Sequence, residues 1–417
     1  MAEFEPLLIK EEKNLPSSTK WTVYFMMVLF GLASLLPWNM VITATGYFHN
    51  KFQETNSTVI LEGFPSYFQI GGIGSNVFIS LSSMIILKHV SIKPVMLACN
   101  SLVLVIFVMM TVMAKLTTIT WPMTFFALTN VMFCIACGAS AAYISGMMAI
   151  ASMLTSNAIA GFYLGQGAAG FFATLLSIIT LSIPGADPVT AGFYYFLIAS
   201  CSLVIALVAY FMFSKMSYVR NSTMRSEDKD SAEAGGENLT SLQVFRKIWK
   251  YCAANLVTLL ITLTCFPAAL SSLKSSSQDT EGQWVTTYFV PVITFLFFNI
   301  GDVLGRITSS FVSLPSKRFI LPVALCRIAF IPLIYMCNLQ PRTLNVWFAS
   351  DAWPAIFNLL MSWSNGHILS LSAAYGPQEV ESKSAKSMAG TYAAFCSSLG
   401  LVIGSMLVFP FLAILKV

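Results

Sequence analysis

Three polar side chains inside one long apolar run are spaced to act together. In Phe298-Asn299-Ile300-Gly301-Asp302-Val303-Leu304-Gly305-Arg306, the residues Asn299, Asp302 and Arg306 stand at i, i+3 and i+7 and share a helix face. A carboxylate accepts hydrogen bonds, and a guanidinium donates them in a rigid planar fork. The set suits recognition of a hydroxyl-rich solute, and Asp302 and Arg306, four residues apart, equally suit an ion pair that locks helices. Gly301 and Gly305 form a small-xxx-small face that permits close helix approach. Ionisable groups in such a run are costly in lipid, so this stripe is expected to face a water-filled cavity.

Other apolar runs carry weaker signals. Pro37 interrupts the first, with Trp38 and Asn39 directly after it. Proline frees backbone groups, Trp38 offers a flat aromatic face with one N–H donor, and Asn39 is a mid-helix amide. The segment Gly165-Gln166-Gly167-Ala168-Ala169-Gly170 lacks the GK[ST] of a phosphate loop, so its glycines read as helix packing and Gln166 as a polar contact or gate. Asn365 and His367, in Ser364-Asn365-Gly366-His367, are further gate or packing candidates, and His367 could titrate near neutral pH. Arg327 reads as a structural or inner-gate charge. Cys134 and Cys137 have CxxC spacing within an apolar helix and read as packing residues, not as a redox pair. With three histidines, no metal-ligand set or activated nucleophile stands out, so neither an enzyme nor a cofactor or metal is expected.

The elements that must position these residues follow from composition. Of the 417 residues, 56% are hydrophobic and 10% charged, too few charges to cover a soluble surface. A bilayer core takes about 20 apolar residues per helix. That ruler places spans near 21–46, 63–87, 95–116, 121–147, 158–183 and 190–213, then near 248–272, 285–312, 318–337, 345–372 and 387–415. The expected fold is an all-α integral membrane bundle of about eleven helices. It divides into an N-terminal tail (1–20), a six-helix bundle (21–213), a polar, flexible connector (214–247) and a five-helix bundle (248–417).

Lysine and arginine placement sets orientation. With a cytoplasmic N-terminus, sixteen of the 23 basic residues fall inside, five outside, and two, Arg306 and Arg327, within spans. Eleven spans then put the C-terminus outside. Of three glycosylation sequons, only that of Asn56 faces outward; those of Asn221 and Asn238 lie in the inner connector. Glu3-Phe4-Glu5-Pro6-Leu7-Leu8 fits an acidic dileucine pattern for a sorting adaptor, which would direct the protein to endosomal or lysosomal membranes in place of the plasma membrane. No basic tract points to nucleic acid.

Pro37-Trp38-Asn39, Gly165-Gln166-Gly167-x-Ala169-Gly170, Phe298-Asn299-x-x-Asp302-x-x-Gly305-Arg306, Asp351-Ala352-Trp353 and Ser364-Asn365-Gly366 occur in the order found in equilibrative nucleoside transporters, which the chain resembles over nearly its whole length. The resemblance implies a major-facilitator-like 6+5 bundle and facilitated, ATP-independent diffusion of nucleosides by a uniporter. It places Trp38 near the base and Asn299, Asp302 and Arg306 toward the nucleoside, with Leu35, Phe266, Phe295 and Leu401 lining the same cavity. One departure is marked. An ungapped count back from Gly165 puts Ile144 where human plasma-membrane members carry a ligand-contacting Gln, with Tyr143 and Ser145 beside it as possible substitutes. Rival expectations are a nucleobase or organic-cation (monoamine) carrier of the same family, a proton-coupled carrier using His367, and, outside transport, a membrane receptor or scaffold. Eleven spans and a buried Asp/Arg stripe argue against the last two.

Overall fold

In the computed structural model, residues 16–53, 58–87, 89–117, 120–185, 187–224 and 239–416 are described. The sequon at Asn56 and the Glu3–Leu8 motif lie outside them. Among the described residues, eleven principal helices organise the bundle. We number them α1 (Ser17–Thr43), α2 (Thr58–Ile86), α3 (Ile92–Lys115), α4 (Pro122–Leu154), α5 (Ser156–Leu181), α6 (Pro188–Lys215), α7 (Ser241–Cys265), α8 (Pro291–Phe311), α9 (Ile320–Tyr335), α10 (Ala352–Tyr375) and α11 (Lys383–Ile414). Among the described residues, α1 to α8 and α11 include nine segments long and apolar enough to cross a membrane. Large apolar side chains such as Phe78, Val112, Val208 and Met406 stand on their outward faces. This is a multi-pass membrane protein.

Start signals are local. Thr155 accepts a hydrogen bond from the Ala158 N–H at the head of α5, Asp187 caps α6 ahead of Pro188, and Ser382 caps α11. Thr240 and Gln243 form a reciprocal capping box on α7. That box starts α7 at Ser241, seven residues before the sequence ruler puts it. Its first turns are amphipathic and basic, with Val244 and Ile248 buried while Leu242, Arg246 and Lys247 are exposed, so an apolar count does not detect them. The expected connector 214–247 is correspondingly shorter. Lys215 ends α6, and a further short helix runs over Ser217–Met224.

Two helices depart from simple spans. α9 tightens into a 3-10 turn at Arg327–Ala329, just ahead of Pro332, which has no N–H for the carbonyl four residues back. α10 falls outside the nine because Asn358, Ser362, Asn365 and His367 interrupt its apolar run. All four are buried, so the interruption serves contacts inside the bundle.

Packing follows a six-helix offset. In the N-terminal half α1 packs on α5, α2 on α4 and α3 on α6; in the C-terminal half α7 packs on α11 and α8 on α10. Between halves, α2 meets α11 as α8 meets α5, and α4 meets α11 as α10 meets α5. Two parallel repeats related by an axis along the membrane normal produce this pattern. Among the described residues, no helix packs on α9 as α6 packs on α3.

Candidate functional site

α8 lies on the seam between halves, and small residues of α5 let it approach. A Cβ on Gly167 would run into the Arg306 side chain, and one on Gly170 into the Asn299 amide. A Cβ on Gly165 would strike the Val28 carbonyl, so that glycine brings α5 against α1. The α5 glycines therefore face both neighbours, with the polar stripe of α8 fitted over Gly167 and Gly170.

The stripe itself has two environments. Asn299 is half-buried; its amide donates to Thr174 Oγ1 on α5 at 2.9 Å and to its own helix at Phe295 O. Asp302 and Arg306 are only 4% and 7% exposed. Arg306 Nε bonds Asp302 Oδ2 at 2.7 Å, and its Nη1 donates to the Tyr163 carbonyl on α5 at 2.7 Å, with the guanidinium 5.4 Å from that tyrosine's ring centre. Asn365 Nδ2 on α10 donates to the other carboxylate oxygen at 2.7 Å. Each Asp302 oxygen thus faces a donor, the condition for keeping a buried carboxylate charged.

The network continues into the C-terminal half. Thr262 Oγ1 on α7 lies 2.9 Å from Asn365 Oδ1 and 2.8 Å from Arg327 Nη2. Arg327, 3% exposed, also donates to Thr258 O (2.7 Å), Met361 O (3.0 Å) and Ser364 Oγ (3.0 Å). Its structural character was legible from its placement in an apolar helix; its ties to Thr262 and Thr258 were not. Nothing in the sequence of α7 set Thr258 and Thr262 apart from its other polar residues, such as Asn255 and Thr264.

The remaining candidates sit around this core. Trp38 stacks on Phe133 of α4, ring centres 5.2 Å apart, beside Gly72 of α2. Asn39 donates to Leu35 O in its own helix. Phe266 stacks face to face on Phe298 and edge-on to Phe295 at 5.5 Å. Leu35, Trp38, Phe266, Phe295 and Leu401 are all half-buried, unlike the fully buried pair Asp302 and Arg306. Gln166 Nε2 reaches Ser34 Oγ on α1 at 3.5 Å. His367 is held at both nitrogens, by Thr308 Oγ1 at 3.0 Å and the Leu314 carbonyl, and stacks on Trp363. Ile144 is half-buried, but Tyr143 and Ser145 are buried with their hydroxyls unpaired, inside the helix packing. The Asp351 carboxylate clasps the loop after α7, accepting from Ser275 Oγ at 2.6 Å and the Ser276 N–H at 2.8 Å.

The bundle has counterparts among known proteins. The family profile described as nucleoside transporter matches residues 128–243 and 221–413. This chain belongs to the nucleoside transporter family. Similar family members include equilibrative nucleoside transporter 1 of Homo sapiens, 27% identical over 94% of this chain and 97% of that protein, and equilibrative nucleoside transporter 3 of Rattus norvegicus, 26% identical over 92% and 87%. Among solved structures, the E. coli fucose:proton symporter FucP aligns with a TM-score of 0.58 at 13% identity, covering 95% of this chain and 96% of that one. The nucleoside transporter NupG aligns with a TM-score of 0.51 at 13% identity, covering 92% and 90%. These likenesses place the family member in the major facilitator fold. Family and fold are those of transporters, not of enzymes.

Proposed function

We propose that this protein carries nucleosides down their concentration gradient by alternating access of the two helix bundles, 21–213 and 248–417. The observation that carries the reading is the position of the α8 stripe: Asn299 and Arg306 reach across the seam to Thr174 and Tyr163, so a solute held there touches both moving parts. In this reading Asn299 meets the ribose hydroxyls, Asp302 and Arg306 supply the charged pair behind it, and the base lies among Leu35, Trp38, Phe266, Phe295 and Leu401, with Asn39 at the α1 kink. Gln166, Asn365 and His367 act as gate or packing residues. The engagement of both His367 nitrogens favours packing over proton coupling.

The sixteen-to-five bias of basic residues supports a cytoplasmic N-terminus and an outer C-terminus. At that inner end the halves meet closely: Gly390 lies against Met148, Gln378 Nε2 reaches Ser156 Oγ at 3.1 Å, and Leu369 and Ala373 join the core around Phe162. α1 and α7 are not among the extensively packed pairs. Closure inside without matching closure by α1 and α7 is the arrangement of an outward-facing carrier. The membrane is the plasma membrane, with Asn56 available for glycosylation, unless Glu3–Leu8 binds a sorting adaptor.

Uptake of labelled uridine and adenosine into transporter-deficient cells tests the proposal. Saturable uptake that survives collapse of the proton gradient is expected. Absence of saturable uptake by protein present at the surface would sink it, and competition by free adenine or a monoamine would redirect it to the nucleobase or cation carriers.

A further inference from the structure

Arg327 is a buried cation that, among the described residues, pairs with no carboxylate; its four hydrogen bonds go to neutral oxygens. An arginine that only anchored α9 to α7 and α10 could use any carbonyls. This one spends two donors on the turn of α7 that also touches the Asp302 network. We infer that Arg327 is a positioning residue for the substrate site, acting on Asp302 through Thr262 and Asn365.

The argument is a count of protons and lone pairs. The Thr262 hydroxyl has one proton and two acceptors in reach, Thr258 O at 2.8 Å and Asn365 Oδ1 at 2.9 Å. Thr258 O already takes the helical N–H four residues on, and Arg327 Nη1 fills its second lone pair at 2.7 Å. Arg327 Nη2 meanwhile donates into the Thr262 oxygen at 2.8 Å. Both bonds leave the Thr262 proton one partner, Asn365 Oδ1. A hydroxyl donor at that place fixes which end of the Asn365 amide faces it. The amide nitrogen then has to point the other way, at Asp302 Oδ1, where it sits at 2.7 Å. Turned over, the amide would set its oxygen against the carboxylate and leave Thr262 facing an NH2. Arg327 thus reinforces, from the far side, the amide orientation that the acceptor-only carboxylate also demands, and Asp302 keeps one oxygen on Asn365 and the other on Arg306.

The chain of contacts runs α9, α7, α10, α8, ending at the seam with α5. It gives α9, which lacks a helical partner of the α3–α6 kind, a defined link to the site.

The inference rests on the reading that Asp302 belongs to the substrate site, and the test separates the two. Uridine uptake is measured as KM and as Vmax per surface copy for Asp302→Asn, Thr262→Val, Thr262→Ser, Arg327→Lys and the Thr262→Val/Arg327→Lys double variant. Thr262→Val keeps the shape and removes the hydroxyl; it is expected to raise KM roughly fivefold, the scale of one lost hydrogen bond, with Vmax near wild type. Thr262→Ser is expected to restore KM, and the double variant to match the worse single variant, because both changes cut one chain. An additive double variant, or an unchanged KM in Thr262→Val while Asp302→Asn raises it, overturns the relay and leaves the site standing. An unchanged KM in Asp302→Asn overturns the site itself. Should Thr262→Val not reach the surface, the thermal shift that uridine produces is compared between purified wild type and Thr262→Ala; an equal shift overturns the relay, and a lost shift restored in Thr262→Ser supports it.

Discussion

The two halves of this bundle repeat one helix arrangement but hold it together with different chemistry. In the N-terminal half, the polar clips include Asn100 of α3, which donates to Leu203 O of α6 at 3.2 Å, and the part-buried Asn39, which donates to Leu35 O, while the buried Tyr143 and Ser145 hydroxyls stay unpaired. Its described buried charge is Lys51, in the short helix Thr45–Gln53 after α1, donating to Leu116 O at 2.8 Å. The C-terminal half carries Asp302, Arg306 and Arg327 in its interior, joined through Thr262 and Asn365. Where Asn100 ties α3 to α6, Arg327 ties α9 inward to α7 and α10. One half is a packed apolar body whose clips, Lys51 among them, end on backbone carbonyls. The other is a charged assembly, and the proposed substrate chemistry is lodged in it.

The sharpest way to break that comparison is to strip the charged half of one partner. Arg306→Met leaves Asp302 buried with half its compensation, at a cost of about 3–5 kcal/mol. The expected outcome is loss of folded protein by fluorescence-detected size exclusion. The double variant Asp302→Asn/Arg306→Met is expected to recover folding and not uptake, which would separate the stability of the pair from its role in transport.

The apolar half should be most sensitive to volume. Gly165→Ala forces a methyl onto the Val28 carbonyl and should cost about 1–3 kcal/mol, read as a lowered Tm with uridine KM unchanged in the surviving protein. A raised KM would show that α1–α5 spacing sets the site as well. Asn100→Ala removes one clip, worth about 1 kcal/mol, and should be milder than Arg327→Gln in the same assay. Equal effects would erase the contrast between α3 and α9.

The smallest effect is expected at the end of α10, where Lys317 Nζ meets Glu379 Oε1 at 2.9 Å and Tyr251 donates to the same oxygen at 3.0 Å. Partial burial raises the Glu379 carboxyl, but the bonds from Lys317 and Tyr251 and the charge of Lys250 outweigh it and hold it below the ordinary carboxylate range. A depressed carboxyl stabilises fully above its unfolded value, about 4.3, and loses that contribution only as pH falls through the lower folded value. The clasp therefore contributes in full between pH 7.5 and 5, and thermal stability should show no pH dependence from it in that window. Glu379→Gln should cost at most about 1 kcal/mol across that window, since both side chains are partly exposed.

Much of the site was legible because its signals are local. Asn299, Asp302 and Arg306 share a face by spacing alone, and the structure puts that face on the seam. The Asp302–Arg306 bond is an i, i+4 contact that any helix would permit. The glycines of α5 also read correctly as packing residues, although not which partners they admit. The half-buried aromatic set was named from resemblance, since nothing in the spacing of Phe266, Phe295 and Trp38 links three different helices. Thr262 and Tyr163 gave no warning, because a threonine and a backbone carbonyl look the same in an inert helix. The start of α7 was missed for the reason that a basic amphipathic turn does not score as apolar.

By itself the sequence determined that the chain is a multi-pass membrane protein, roughly how many long helices it has, how its basic residues are distributed and which helix carries the charged face. Those are properties of composition and of a 3.6-residue period, which act within about 20 neighbouring residues. Only the tertiary structure decided that Arg306 reaches Tyr163 across the seam, that Asn365 sits on Asp302, and that Arg327 stands behind both. These contacts join residues tens to more than a hundred positions apart. A buried donor must find an acceptor, and which one it finds depends on how the helices pack.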